Sequence, residues 1–203
     1  IGIIGCGGIA HAHMRAYLEI PEVEIVAGAD IVPGKARKFM DEFGLTEAKA
    51  FDCATDLLKC DLDAVSVCTY NSQHAVCAVE ALEAGCHVLL EKPISPDPLE
   101  VYRIGEVAKK SDKVFLICHV LRYTPFYSTI KEKLISGAIG EVINIQTVEN
   151  VSYHHLSTSF VRGKWGNSKK CHTSMLLAKC CHDMDIMMWL MSPHKPVTVS
   201  SVG

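Results

Sequence analysis

The segment Ile1-Gly2-Ile3-Ile4-Gly5-Cys6-Gly7-Gly8-Ile9-Ala10 decides the fold of this chain. Its apolar start reads as a buried strand, and from Ile9 to Ile20 apolar residues recur at helical steps. The glycines between them form a G-x-G-x-x-A loop. In a strand-loop-helix setting Gly5 makes the tight turn, Gly7 lets a pyrophosphate approach the backbone, and the small Ala10 packs helix against strand. The helix N-terminus then faces the phosphates. Such a loop is a weak signal alone, because glycine turns also arise for steric reasons, but here both flanks match. Gly5, Cys6, Gly7, Gly8, Ile9 and Ala10 are therefore candidate dinucleotide contacts. Asp30 ends the next apolar run, twenty residues after Ala10. An acid there hydrogen-bonds the adenosine ribose hydroxyls and repels a 2′-phosphate, which favours NAD over NADP. Its plainer reading is a turn or helix-capping acid before Pro33.

Working outward, apolar runs at Ile1–Gly5, Val23–Ala29, Ala64–Thr69, Cys86–Leu90 and Val114–His119 alternate with helical patterns at Ile9–Ile20, Gly34–Phe43, Gln73–Ala84 and Asp97–Lys110. Strands apolar nearly throughout are those covered on both faces, so the pattern predicts an α/β fold with a doubly wound parallel sheet of the Rossmann type over residues 1–119. After His119 the grammar changes. A helix is expected at Pro125–Ser136, an alternating strand at Glu141–Glu149, a long polar loop with room for a short helix at Asn150–Thr173, an apolar helix at Met175–Met191 and a last strand at Pro196–Val202. Residues 120–203 thus read as the start of an α+β domain. The chain opens inside one strand, without an initiator Met, and stops in another, so it reads as a piece of a longer protein.

Composition narrows the classes further. The 203 residues are 49% hydrophobic and 21% charged, with a net charge of -3. No apolar run approaches the ~20 residues that span a bilayer, and no basic run offers a footprint for nucleic acid. Neither a membrane nor a nucleic acid is an expected partner. The ten cysteines lie on apolar strand and helix patterns, as small buried hydrophobes do in a reducing compartment, so a cytoplasmic location is expected. No C-x-x-C pair occurs. A metal reading would rest on Cys180, Cys181 and His182 alone, and no metal is expected.

Two further segments sit at carboxyl ends of expected strands, the edge where ligands of open α/β sheets bind. Thr69, Tyr70, Asn71 and His74 follow one of them and can reach a coenzyme, or else Asn71 or Ser72 caps the next helix. Glu91-Lys92-Pro93 follows another, and a lysine delivered there can donate or accept a proton, although a Lys beside an acid also reads as a surface pair.

The GCGGIA loop, the TYNSQH segment, AGCHVLLEKP and a later HDMD, in one order, resemble the Gfo/Idh/MocA family of NAD(P)-dependent oxidoreductases. The passage RYTPFY…GAIGEVINIQ resembles that family's entry into its second domain, which carries a large, mostly antiparallel sheet. The resemblance implies an NAD-dependent enzyme acting on a CH–OH group of a sugar, a polyol or a related small molecule. It implies that Lys92 lies beside the nicotinamide and takes part in catalysis and that the Lys92–Pro93 bond is cis; Glu91, Pro93 and Arg122 are candidate coenzyme contacts, and Arg122 is also a candidate substrate contact. A homo-oligomer, dimer or tetramer, is the expected assembly.

His182 and Asp185 are three residues apart and share a helical face, where the acid can orient the imidazole, although a lone His also reads as a satisfied core residue. The resemblance makes His182 the general base, with Asp185 holding it. Polyol-oxidising members commonly carry an Asp four residues before this His. Here that position is Ala178, with Lys179 adjacent as the remaining polar candidate. His154, His155, Arg162, Lys164, Trp165 and His172 in the long loop, and Tyr123 near Arg122, are either substrate contacts or solvated residues. Two other functions stay open: a relative that cleaves glycosidic bonds through transient oxidation by tightly held NAD, and a non-catalytic dinucleotide-binding sensor.

Overall fold

A computed structural model describes residues 1–202, leaving aside the side chain of Lys170; Gly203, the last residue of the second expected domain, lies outside the described residues. The chain divides into two units. One is Ile1–Cys118 together with Ser168–Thr173, and the other is His119–Asn167 together with the chain from Ser174 onward.

In the first unit β1 (Gly2–Ile4) leads into α1 (Gly8–Leu18), β2 (Ala27–Ala29), α2 (Lys35–Glu42), β3 (Lys49–Phe51), α3 (Ala54–Leu57) and β4 (Ala64–Val67). A 3-10 turn (Asn71–Gln73), α4 (His74–Glu83), β5 (His87–Leu90), α5 (Pro98–Lys110) and β6 (Phe115–Ile117) complete the run. All pairings are parallel, in the order β3-β2-β1-β4-β5-β6. The winding reverses between β1 and β4, so the loops leaving these two strands diverge and open a crevice at the carboxyl edge.

Local chemistry sets the helix ends. The Asp97 carboxylate accepts the Leu99 N–H at 2.8 Å, Pro98 opens α5, and Lys109 and Lys110 close it on the negative end of its dipole. Alternation along the strands then builds two cores. Ile4, Val65, Val67, Val88 and Leu90 pack with Leu57, Ala78 and Leu82, while Ile3 packs with Ala10, Met14, Phe39 and Met40. Met14 and Met40 are fully buried, and truncating such a side chain to alanine costs about 2–5 kcal/mol.

The five expected strands of this unit are present, shortened to the residues that pair. The expectation missed β3, which is three residues long and partly exposed at the sheet edge, too short to show a period. Within the long loop expected at Asn150–Thr173, which left room for a short helix, Ser168–Cys171 forms a helical turn, and Cys171 and Thr173 are buried.

The second unit contains a 3-10 turn (Val120–Tyr123), α6 (Pro125–Ile135), one helical turn (Tyr153–His155) running into a π-helical stretch (Leu156–Val161), and the helix Met175–Met191. Ser174 caps that helix by accepting the Leu177 N–H, and Lys131 Nζ donates to the carbonyls of Trp189 and Leu190 at its other end. The strands expected at Glu141–Glu149 and Pro196–Val202 are not formed. Their alternation is real, but a strand needs a neighbour for its N–H and C=O groups, and neither segment pairs with another among the described residues. Ile143 is 90% exposed and Val197 94%. Among the described residues, no helix is long and apolar enough to cross a membrane.

Candidate active site

The glycine loop leaves β1 through Gly5, whose φ of +90° is one that side chains rarely adopt. A Cβ there would lie 2.7 Å from the carbonyl carbon and oxygen of Cys68, so glycine is what lets the β1 and β4 backbones approach. Gly7 and Gly8 differ: a Cβ on either would meet nothing within 4 Å. That open space lies at the start of α1, whose first turn holds no acid and whose N-cap, Gly7, has no capping side chain. Its first N–H groups are thus without intrahelical partners and suited to an anion. His11 Nδ1–H donates to the Gly7 carbonyl at 2.9 Å and pins the loop, while Ala10 is buried against the sheet. The loop fits a pyrophosphate. Cys6 is buried behind it, and burial first, then the neighbouring Asp30 charge, pushes its thiol up to about 12. Ile9 is half exposed at the mouth.

Asp30 stands at the end of β2. Its Oδ2 accepts from the Cys6 N–H at 2.9 Å and from Lys35 Nζ at 2.6 Å, and its Oδ1 accepts from the Val32 N–H at 3.0 Å. Burial opposes the charge, but the Lys35 bond and the two N–H groups outweigh it and hold the carboxyl below its usual range. The acid is a turn residue and a loop anchor as well as a candidate ribose contact.

At the end of β4 the segment divides. Thr69 and Tyr70 reach the carboxyl edge, with Tyr70 half exposed. Asn71 is buried and its amide donates to Thr173 Oγ1 at 3.0 Å, rather than capping α4. His74 is 1% exposed and its Nδ1–H donates to the Pro93 carbonyl at 2.7 Å. His74 thus supports the Lys92–Pro93 turn from behind, at the carboxyl edge where a coenzyme contact was expected. Burial lowers its pKa and keeps it neutral near pH 7.

The Lys92–Pro93 peptide is cis, as the resemblance implies. Glu91, before it, is buried: Oε1 accepts from His13 Nε2 at 3.0 Å and Oε2 accepts from the Lys92 N–H at 3.1 Å. His13 Nδ1 meets Ser66 Oγ, which also meets the Tyr17 hydroxyl, so α1 is tied through β4 to the Lys92 turn. Cys118 faces the same pair, with ligand atoms of His13, Glu91 and Cys118 within 4.8 Å of one another. Burial first, then the Glu91 charge, pushes its thiol up to about 12. The Lys92 side chain is half buried and its ammonium hydrogen-bonds to no side chain among the described residues.

Burial works against the Glu91 charge, yet the His13 bond and the Lys92 charge and N–H hold its carboxyl below the usual range. Glu91→Gln is therefore expected to lower the unfolding free energy by about 1–3 kcal/mol near neutral pH, measured by urea denaturation. With the folded pKa depressed, this stabilisation is complete above the unfolded value of ~4.3 and is lost as pH falls through the folded pKa, so the two proteins should converge in acid.

In the second unit the Arg122 fork grips Asp185, with Nε to Oδ2 at 2.7 Å and Nη2 to Oδ1 at 2.5 Å. Sequence reasoning assigned Arg122 to the coenzyme and Asp185 to His182; the bidentate pair between them was not visible across 63 residues. His119 Nε2 lies 3.8 Å from Asp185 Oδ1, and its ring meets the His182 ring edge to face at 5.9 Å. Asp185 thus carries the Arg122 pair beside two imidazoles. Ala178 is buried and Lys179 Nζ sits over the Phe160 ring at 5.8 Å. His154, His155, Arg162 and Tyr123 are exposed, and Lys164 stacks on Trp165. His172, in the segment grouped with the first unit, is exposed with φ 52°.

With this geometry in place, comparison with known proteins is decisive. The NAD-binding Rossmann fold model of the Gfo/Idh/MocA oxidoreductase family matches residues 1–119, and its C-terminal alpha/beta domain model matches residues 131–202. The chain belongs to the Gfo/Idh/MocA oxidoreductase family. Inositol 2-dehydrogenase of Salmonella paratyphi B is 29% identical over 94% of this chain and 54% of its own length. Glucose-6-phosphate 3-dehydrogenase of Bacillus subtilis is 30% identical over 86% of this chain and 49% of its own. The crystal structure of myo-inositol dehydrogenase from Lactobacillus casei in complex with NAD(H) and myo-inositol is 26% identical with a TM-score of 0.74, covering 94% of this chain and 53% of that one. The chain spans about half the length of the curated relatives it matches. Within this Gfo/Idh/MocA chain, sequence reasoning missed His11, His13 and Lys35. His13 and Tyr17 share a helical face, four residues apart, and that spacing was the available signal.

Proposed function

We propose that residues 1–119 form the coenzyme-binding domain and residues 120–203 the start of the substrate domain of an NAD-dependent oxidoreductase. It moves hydride between nicotinamide and a secondary alcohol carbon of a polyol or sugar. The observation that carries this reading is Lys92, delivered by β5 to the carboxyl edge that also bears the Gly5–Ala10 loop and Asp30. The ring-shaped polyhydroxyl molecules in the relatives' names support the substrate class.

The N–H groups at the start of α1 hold the pyrophosphate, and Asp30 with Thr69 and Tyr70 borders the riboses. Nicotinamide, when bound, supplies the carbon that takes or returns the hydride. Lys92 polarises the substrate oxygen and relays its proton, with Glu91 holding its backbone N–H. His182 is the general base toward the hydroxyl proton. Asp185, fixed by Arg122, keeps a negative charge one helical turn from His182, and Lys179 is the polar group left beside Ala178. The ten free cysteines support a cytoplasmic location, and a homo-oligomer is the proposed assembly.

NADH titration followed by a screen of cyclic polyols and sugars with NAD⁺ tests the reading. NADH binding with nicotinamide reduction by at least one substrate is expected, and absence of NADH binding overturns it. Binding without turnover across the panel favours a sensor, the reading that buried Ala178 supports. Sugar release without net NADH marks the glycosidase chemistry.

A further inference from the structure

The acid at the end of β2 is not a bare charge. We propose that Lys35 makes the ribose end of the coenzyme site accept NADP(H) as well as NAD(H), by neutralising Asp30 and offering its own ammonium to the 2′-phosphate. This rests on the coenzyme reading above.

Rejection of a 2′-phosphate requires uncompensated negative charge and acceptor oxygens aimed at the ribose. Asp30 meets neither condition fully. Three donors already occupy it, the N–H groups of Cys6 and Val32 and the Lys35 ammonium at 2.6 Å, and its side chain is 6% exposed. The Lys35 side chain is 41% exposed, so the ammonium is the solvent-facing member of the pair. Lys35 is the first residue of α2, an eight-residue helix whose N-cap, Gly34, bears no side chain and whose first turn holds no acid. Among the described residues the Lys35 ammonium pairs with the Asp30 carboxylate, and the adjacent strand end carries an exposed Asp52, one residue past Phe51, whose carbonyl accepts the Asp30 N–H at 3.1 Å. The neighbouring cation Arg37 is turned away, donating to the carbonyls of Ala48 and Leu45 and pairing with Asp41. The outward residues of the turn, Ile31 and Val32, are apolar.

A lysine ammonium on a flexible stem can swing from a carboxylate to a phosphate, forming charge-assisted bonds with either. When it leaves, Asp30 retains the Cys6 and Val32 N–H bonds, so the loop keeps its shape. With NAD the pair stays closed and the ribose hydroxyls meet its outer edge.

Fluorescence titration of the 203-residue chain with NADH and NADPH, unmodified and as Lys35→Met and Lys35→Arg, decides the matter. The unmodified chain is expected to bind NADPH within about tenfold of NADH. Lys35→Met should raise the NADPH-to-NADH ratio of Kd by about tenfold or more, with NADH affinity serving as the check on folding, and Lys35→Arg should restore the ratio. A smaller change in that ratio, or equal loss of both coenzymes, overturns the proposal. If the unmodified chain binds neither, the coenzyme reading falls and the role of Lys35 falls with it; if it binds NADH alone, only the role of Lys35 falls.

Discussion

Lys92→Met is expected to cut turnover by about 100-fold or more while leaving NADH affinity within a few-fold, the scale usual for an acid–base group. Methionine keeps the length and the apolar stem but removes every donor. The shape of the turn should survive, because it is held by groups other than the Lys92 side chain. Glu91 bonds the backbone N–H, and His74 bonds the Pro93 carbonyl. Steady-state kinetics on a substrate found in the screen, beside NADH titration, separates the two effects. Turnover that survives the change would remove Lys92 from the chemistry. A parallel loss of NADH affinity would make it a binding residue instead.

Gly5→Ala should be the most damaging single methyl in the first unit, and Gly7→Ala the instructive contrast. At Gly5 the new Cβ meets Cys68 backbone atoms at 2.7 Å with φ at +90°, and backbone cannot step aside as a side-chain tip can. Strain and clash together should cost about 3–5 kcal/mol, or a fall in Tm of about 10 °C for a chain of this size. At Gly7 the methyl enters open space with φ at -96°, so stability should hold while the space a pyrophosphate needs is filled. Thermal melts and NADH titrations of both variants give a crossed pattern. Equal Tm values for Gly5→Ala and the unmodified chain would mean that β1 and β4 can move apart at little cost.

Much of this was legible because a parallel sheet covered on both faces writes itself as apolar runs, and because glycine, aspartate and lysine fell at the ends of those runs. β3 was not legible, since Lys49-Ala50-Phe51 is too short to show a period. Glu141–Glu149 and Pro196–Val202 failed in the opposite sense. Their alternation states what each segment could do with a partner, and pairing is a property of two segments. The site divides in the same way. Positions along the chain offered Asp30, Lys92 and His182 as candidates, but not what holds them. His13 reaches Glu91 across 78 residues and Arg122 reaches Asp185 across 63, distances at which spacing carries no information. Lys35, five residues from Asp30, was near enough to be noticed; a short turn joining β2 to α2 folds them onto each other.

The bond from Asn71 to Thr173 joins residues 102 apart, within one unit whose sheet is already complete at Ile117. In a chain emerging from the ribosome, the six strands can pair well before the Ser168–Thr173 segment exists. Until then the Asn71 amide at the carboxyl edge must be satisfied by water. The last piece of the first unit is thus delivered late, after intervening sequence that belongs to the other unit. A cut at the boundary between the two family domains would yield a sheet with its strand order intact and one edge permanently unfinished.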